Sequence, residues 1–454
     1  MSTVESKSLV RALTVVPAAA VILANIIGTG VFVKARVMTC NVGTPEMVLL
    51  VWFVAGLLSL AGALIYAELG AMMPRSGGEY HFLNAAFGRR LAFLYGWTKT
   101  IALGASVAAA AIILVMFMND LVGGTLSPLA IQLLSVLVVA FGTAVNLMTV
   151  RSCGHTATLL TAVKIALVLL VALGAYFLAD GSWQGFSMNA EGGTCEGVPE
   201  GARLGLQGFG AAMLGALWGY NGWAVIAALG GEVKNPGRTL PMSLVGGTLT
   251  VIALYLFINA AYFYAMSPAE VASVAETSSV AGEVALRSFG PSITTVLLIG
   301  LMLSAYGTLH TTLLTGSRVP FALARDGLLP ARLAYVSANR VPAVAIVAIG
   351  VWSVVLALSG TFDILTDIYI IVLWVFFGLN GAALFVLRRR MPDAERPYRL
   401  FGYPVFPALF LLVSGFLLVN SMVAMPWRAL AGVLLIISGL PVYEYYVRVR
   451  GRAQ

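Results

Sequence analysis

The chain has 454 residues, 60% hydrophobic and only 10% charged, with a mean hydropathy of +0.94. Soluble domains lie nearer half apolar and a quarter charged, so no aqueous fold hides this much apolar surface and lipid must be the solvent. The formal charge of +8 reflects where basic residues fall between apolar segments; it is no nucleic-acid footprint, and no nucleic-acid partner is expected.

A spanning helix needs about 20 apolar residues. Twelve candidates follow one another at about 14–37, 46–72, 90–118, 128–149, 156–178, 206–230, 240–265, 290–317, 342–359, 364–387, 403–422 and 427–446. The start, KSLVRALTVVPAAA, mimics a signal peptide. It reads as an uncleaved first span, because cleavage would part the basic flank from the interrupted helix that follows. With the amino terminus in the cytosol, twelve spans return the carboxy terminus there. The cytosolic side then collects Lys7, Arg11, Arg75, Arg89, Arg90, Arg151, Lys234, Arg238, Arg318, Arg325, Arg332, Arg340, Arg388 to Arg390, Arg396, Arg399, Arg448, Arg450 and Arg452. The outside keeps Lys34, Arg36, Arg203, Arg287 and Arg428, and this asymmetry sets the orientation.

Span 1 carries ANIIGTGVF, whose Gly28, Thr29 and Gly30 are poor helix formers in mid-membrane. In spans 2 and 3, Glu68 lies near the cytosolic end and Lys99 is deep; the two are candidates to pair, or Glu68 anchors a helix end at the interface. Lys164 stands in span 5 about nine residues past the cytosolic end, ~14 Å deep, and an intramembrane lysine is a functional hypothesis by default. Its ammonium is placed to bond carbonyls of span 1 and the hydroxyls of Ser304 and Thr308 in span 8; the bland reading is a cation tying helices together. Span 6 carries LWGYNGW at 217–223, a second interruption five spans on. An odd offset reverses its direction, so spans 1–5 and 6–10 read as inverted halves with spans 11 and 12 appended. The alternative for glycines of this kind is close helix packing.

A mid-membrane break exposes amides at the start of one half-helix and carbonyls at the end of the other, tolerable only around a polar cavity. A zwitterionic amino acid supplies the matching charges. Its carboxylate suits amides near Thr29, Gly30 and Val31. Its ammonium suits carbonyls near Ile26 and of Trp218, Gly219 and Asn221. Asp363 and Asp367 open span 10 from outside and read as interfacial. His81, His155 and His310 are too scattered for a metal site, and only His310 is deep, where it reads as a packing residue. No metal, cofactor or catalytic constellation is expected. Cys40 and Cys195 both fall outside, where oxidation permits a disulfide; whether they pair or stay free is open, and Cys153 reads as a free cytosolic thiol.

ANIIGTGVF, ALIYAELGAMMPRSGGEY (63–80), LWGYNGW, GGEVKNPGRTLP (230–241) and SRVPFALARDGLLP (317–330) resemble the amino acid–polyamine–organocation superfamily, and within it the L-type amino-acid transporter family, from about residue 12 to about residue 400. The resemblance implies an all-α membrane protein of the LeuT type, with twelve transmembrane helices, a five-plus-five inverted repeat, two further helices, and spans 1 and 6 unwound. The expected organisation is a tail over 1–11, repeats over 12–180 and 206–390 around an external loop at 181–205, two helices over 391–446 and a tail over 447–454. By position, Asn25, Ile26, Gly28, Thr29, Gly30 and Val31 match the substrate segment, Trp218 the outer gate, Gly219 and Asn221 the unwound part of span 6, and Lys164 the span 5 lysine of sodium-independent members. RSGGEY and EVKNPGR would brace an inward gate. Animal members bind a heavy-chain glycoprotein through a cysteine after span 3; NDLVGGTLSP has none, so no such partner is expected. Family members commonly have Pro after GTGVF, whereas here Lys34 and Ala35 follow, which speaks against cationic substrates.

The expected function is sodium-independent exchange (antiport) of neutral, small-to-medium L-amino acids by alternating access across the plasma (inner) membrane. A proton-coupled or cationic amino-acid or polyamine transporter is the alternative, and a membrane-embedded enzyme or a channel the distant one.

Overall fold

Helix follows helix through residues 9–28, 30–275, 278–359, 362–424 and 426–451, which the computed structural model describes. Among them the β-type pairing is limited to two isolated bridges, Leu13 with Val233 and Ser76 with Leu229. Thr29, Lys7 and Arg452 lie outside the described residues, as do the side chains of Asp363, Asp367 and Arg428. In chain order come α1 (Val15–Ile26), α2 (Gly30–Val42), α3 (Pro45–Met72), α4 (Glu79–Phe87), α5 (Arg89–Leu121), α6 (Pro128–Asn146), α7 (Val150–Leu178) and α8 (Gly205–Gly219). They are followed by α9 (Pro236–Ala265), α10 (Pro268–Ser273), α11 (Val280–Phe289), α12 (Ile293–Gly316), α13 (Arg318–Arg325), α14 (Ala343–Ser359), α15 (Phe362–Arg390), α16 (Val405–Ala424), α17 (Pro426–Ile437) and α18 (Gly439–Gly451).

Local chemistry sets many of these boundaries. Thr44, Ser127 and Thr149 are extended N-caps whose hydroxyls accept from backbone amides three residues on, and proline opens α3 and α6. Asn235, with φ of 45°, turns the chain ahead of Pro236, the first residue of α9. Several boundaries differ from expectation, among them the start of α7, at Val150 rather than 156, and that of α9, at Pro236 rather than 240. The first segment continues to Val42, so Cys40 sits in the last turns of α2 and not in a loop beyond it. The segment expected at 427–446 is two helices parted at Ser438.

Eight helical stretches among the described residues are long and apolar enough to cross a bilayer, and three shorter ones are apolar. The chain is a multi-pass membrane protein. Its outward faces agree with lipid: α6 exposes Leu129, Leu133, Leu137 and Phe141 at helical spacing, and Phe177, Leu206, Phe416 and Trp427 are likewise exposed. The two interrupted segments are split into pieces too short to cross a bilayer singly, 12 and 13 residues in α1 and α2 and 15 in α8.

Helices pack in a regular way. α2 lies on α8, α3 on α9, α5 on α12 and α6 on α14, each pair joining segments five apart in the expected order. The face carrying the start of α1 also gathers α4, α13 and α18. There Arg89 donates to the Asp326 carbonyl and Arg90 pairs with Glu444 at 2.6 Å. The opposite face is knitted by the Cys40–Cys195 disulfide, with Cα atoms 5.7 Å apart. On it Arg36 donates to the Glu196 carbonyl, Arg203 to the Cys195 and Val198 carbonyls, and Arg287 to Glu270 at 2.9 Å.

Glu68, near the end of α3, anchors chain ends as one of its two readings had it, but from within the protein: it is fully buried, and its carboxylate is taken by Arg388 at 2.5 and 2.9 Å, by Arg396 at 3.4 Å, and by the Leu400 amide at 2.7 Å. A carboxylate buried this fully needs charge-assisted partners; the last turn of α15 supplies Arg388, and the segment beyond it folds back to add Arg396 and the Leu400 amide. His310 is buried as a packing residue, its ring nitrogens 3.1 Å from Asn146 Nδ2 and 3.0 Å from the Cys153 carbonyl.

Candidate functional site

α1 stops at Ile26. Ile27 leaves the helical region (φ −72°, ψ 86°), the Gly28 amide turns back to the Ile26 carbonyl at 2.8 Å, and α2 begins at Gly30. A helix end leaves its last carbonyls without intrahelical donors, and here side chains of other helices supply them. Lys164 Nζ, midway along the 29-residue α7 and fully buried, donates to the Ala24 carbonyl at 2.6 Å, the Ile27 carbonyl at 2.7 Å and Thr308 Oγ1 at 3.0 Å. Thr308 Oγ1 also approaches the Ala24 carbonyl, at 3.3 Å. Ser304 is not part of this cluster: its hydroxyl is buried with no partner, one turn from Thr308 on α12. The cause is reach, since the lysine's three protons are already spent on nearer acceptors.

α8 stops at Gly219. The Asn221 amide turns back to the Trp218 carbonyl at 3.1 Å, and Gly222 takes φ of 130° before a 3-10 stretch, Trp223–Ala228. That position demands glycine twice over, because a Cβ there would lie 2.8 Å from the Asn25 backbone. The two breaks therefore touch. Tyr255 of α9 joins them from behind: its buried hydroxyl lies 2.9 Å from the Ile26 carbonyl and 3.0 Å from that of Gly219. Trp52 packs edge-on against its ring, centroids 5.0 Å apart, and Tyr220 lies tilted beside it at 5.1 Å.

Beside the breaks opens a cavity of about 690 Å³, lined by Asn25, Ile26, Gly28 and Gly30, by Trp218, Gly219 and Asn221, and by Thr308 and Thr312. Its far wall is α5 and α15, including Lys99, Ser106 and Phe377. Asn25 is fixed by donating to the Val21 carbonyl at 2.9 Å and accepting from Thr312 at 3.3 Å. Of the expected site residues, Val31 is buried just inside α2 and its carbonyl accepts from Tyr262 at 3.3 Å. Trp218 is 41% exposed and closes over Gly30, where a Cβ would meet the indole at 2.9 Å.

On the amino-terminal face the cavity floor is stitched shut. The Ala12 and Leu13 amides donate to the Glu232 carbonyl at 2.8 and 3.0 Å, and Lys234 returns a bond to Leu13. The Gly77 amide donates to the Ala228 carbonyl at 2.9 Å. Beneath them Arg318 and Glu232, both wholly buried, form a two-pronged ion pair at 2.7 and 2.8 Å. Glu79 takes the hydroxyls of Tyr66 and Tyr95, one on each oxygen, and also lines the cavity. RSGGEY and EVKNPGR thus lie together. Sequence reasoning had not assigned Tyr255, Glu79 or the Glu232–Arg318 pair. The last two sit inside motifs that carried the family resemblance, whereas nothing around Tyr255 marks it out.

A multi-pass helical membrane protein with two broken segments meeting at a buried cavity matches a family of carriers in its sequence as well. The chain belongs to the amino acid permease family, whose model matches residues 13–440, within the amino acid–polyamine–organocation superfamily. It is 31% identical to the b(0,+)-type amino acid transporter 1 of Mus musculus, over 94% of this chain and 86% of that one. It is 30% identical to the serine/threonine exchanger SteT of Bacillus subtilis over 97% of both chains. It is also 30% identical to the human large neutral amino acids transporter small subunit 2, over 96% and 80%.

Proposed function

We propose that this protein is a sodium-independent exchanger of neutral, small-to-medium L-amino acids, working by alternating access in the plasma (inner) membrane, and not an enzyme. The observation that carries the reading is Lys164. Its ammonium bridges the end of α1 and Thr308 of α12, a place where a bound cation would otherwise join the same carbonyls and hydroxyl. A fixed cation there removes the need for sodium. The amides that open α2 receive the substrate carboxylate, and carbonyls around Ile26, Trp218, Gly219 and Asn221 receive its ammonium. Trp218 then closes the site from outside.

The pairing of segments five apart supports a five-plus-five inverted repeat of the LeuT type with two appended helices and twelve spans. Gathering of the basic residues of α5, α13 and α15 on one face supports cytosolic termini. The three cysteines are accounted for by one internal disulfide and one buried thiol, which supports the absence of a disulfide-linked heavy chain. The relation to a serine/threonine exchanger along its whole length supports exchange.

Purified protein in liposomes tests this. Labelled L-serine, L-alanine or L-leucine should enter only when unlabelled amino acid is inside, equally in sodium and choline buffers. Uptake into empty vesicles driven by a pH gradient would favour proton coupling, and sodium-dependent uptake would sink the role given to Lys164.

A further inference from the structure

The outer wall of the cavity carries a charge that the exchange reading does not use. Gly30 and Lys34 stand one turn apart on the same face of α2. Gly30 lets the Trp218 indole come close, and the Lys34 ammonium lies 5.2 Å from the centroid of an indole ring of that side chain. Gly215, one turn before Trp218 on α8, leaves a passage for the lysine stem: a Cβ there would sit 4.0 Å from Lys34 Cδ. Both Lys34 and Trp218 line the cavity. The ammonium is therefore held by a π face, a weaker partner than a carboxylate. Arg36, two residues on, adds a second positive charge on this face, with its guanidinium on the Glu196 carbonyl.

Among the described lining residues the one acidic side chain is Glu79. It stands at the opposite end of the cavity, and both its oxygens accept tyrosine hydroxyls. A solute entering past Trp218 thus meets a lysine with no carboxylate beside it on the cavity wall.

We infer that Lys34 sets the charge selectivity of the cavity: it admits amino acids with neutral or acidic side chains and turns away those with cationic side chains. An acidic side chain gives the ammonium a better partner than the indole. A cationic one must pass within a few ångströms of a like charge against low-dielectric walls, where repulsion is weakly screened. The inference rests on the proposed amino-acid exchange and names the substrate class of that same site.

The test is competition against counterflow of labelled L-serine, L-alanine and L-leucine by the full chain in liposomes, with L-glutamate, L-glutamine and L-arginine as competitors. In the wild type, glutamine and glutamate should compete and arginine should not. Lys34→Gln and Lys34→Met should shift the preference for arginine over glutamate by about tenfold or more, the scale of a partly screened unit charge, and Lys34→Arg should keep the wild-type order. A preference is a ratio within one sample, so a poorly expressed variant still reports it. Arginine competing as well as glutamine in the wild type would overturn the inference, as would an unchanged ratio in both neutral variants. Loss of all exchange in both neutral variants, with activity kept by Lys34→Arg, would overturn it too, since the charge would then serve translocation itself. If no labelled amino acid exchanges in the wild type, exchange itself fails and not merely its selectivity.

Discussion

Lys164 and Tyr255 do the same job by different chemistry. Both satisfy carbonyls left without intrahelical donors where a helix stops inside the protein, Lys164 with charge and Tyr255 with one shared proton. A buried acceptor left without a donor costs about 1–3 kcal/mol. Lys164→Ala leaves the Ala24 and Ile27 carbonyls wanting, so exchange should fall more than tenfold and the midpoint of thermal unfolding in detergent should drop. Unchanged exchange and an unchanged midpoint would remove its proposed role. Tyr255→Phe keeps the ring packing against Trp52 but removes the hydroxyl between the two breaks. It should slow exchange severalfold and cost about 1–3 kcal/mol of stability, that of a buried acceptor left without its donor; equal rates for mutant and parent would show that the hydroxyl does not couple the breaks. Lys164 was legible because a lysine deep in an apolar run is anomalous in one dimension. Tyr255 was not, because a tyrosine in LYLFINAAYFYA differs in no local way from its neighbours.

At the scale of elements, the two-pronged Arg318–Glu232 pair ties the segment before α9 to α13 beneath the cavity. Breaking a buried pair leaves one uncompensated charge and costs about 3–5 kcal/mol, whereas replacing both partners by apolar residues is often neutral. Glu232→Gln or Arg318→Met alone should therefore destabilise the protein. It should also loosen the amino-terminal face, read as faster thiol labelling of a cysteine placed at Ala12 in a background lacking the native ones. The double variant Glu232→Leu with Arg318→Met should recover most of the stability but not the slow labelling. Equal labelling in all three would show that the pair is not part of a gate. The halves of the broken segments were legible as IIGTG and LWGYNGW, since glycine and asparagine weaken a helix whatever surrounds it. The lengths of the halves were not. α2 runs on to Val42 because its end is fastened to the opposite face: Asn41 donates to the Ala202 carbonyl at 2.6 Å, and Cys40 is bonded to Cys195.

Across the whole molecule, the disulfide joins residues 155 apart in sequence and yokes α2 to the loop that leads into α8. Cys40→Ser together with Cys195→Ser should lower the unfolding midpoint and abolish the mobility difference between reduced and non-reduced wild type on gels; an unchanged midpoint would make the bond dispensable. The proposed topology is checked in cells. A single cysteine at Glu191, in the exposed loop beyond α7, should react with an impermeant maleimide from outside, and one at Arg332 only after permeabilisation. The reverse pattern would invert the assigned orientation.

Composition alone determined that the chain lives in lipid, because no aqueous core accommodates 60% apolar residues with 10% charge. Local backbone chemistry determined where two helices break, and the five-segment offset pointed to paired halves. What only the tertiary structure decided is which groups answer one another across distance. Examples are Glu68 with Arg388, Glu232 with Arg318, Lys164 with Thr308 rather than Ser304, and Tyr255 with both breaks. Burial compels each such group to find a partner. The compulsion is local, but the partner lies dozens to hundreds of residues away, and only packing brings the two together.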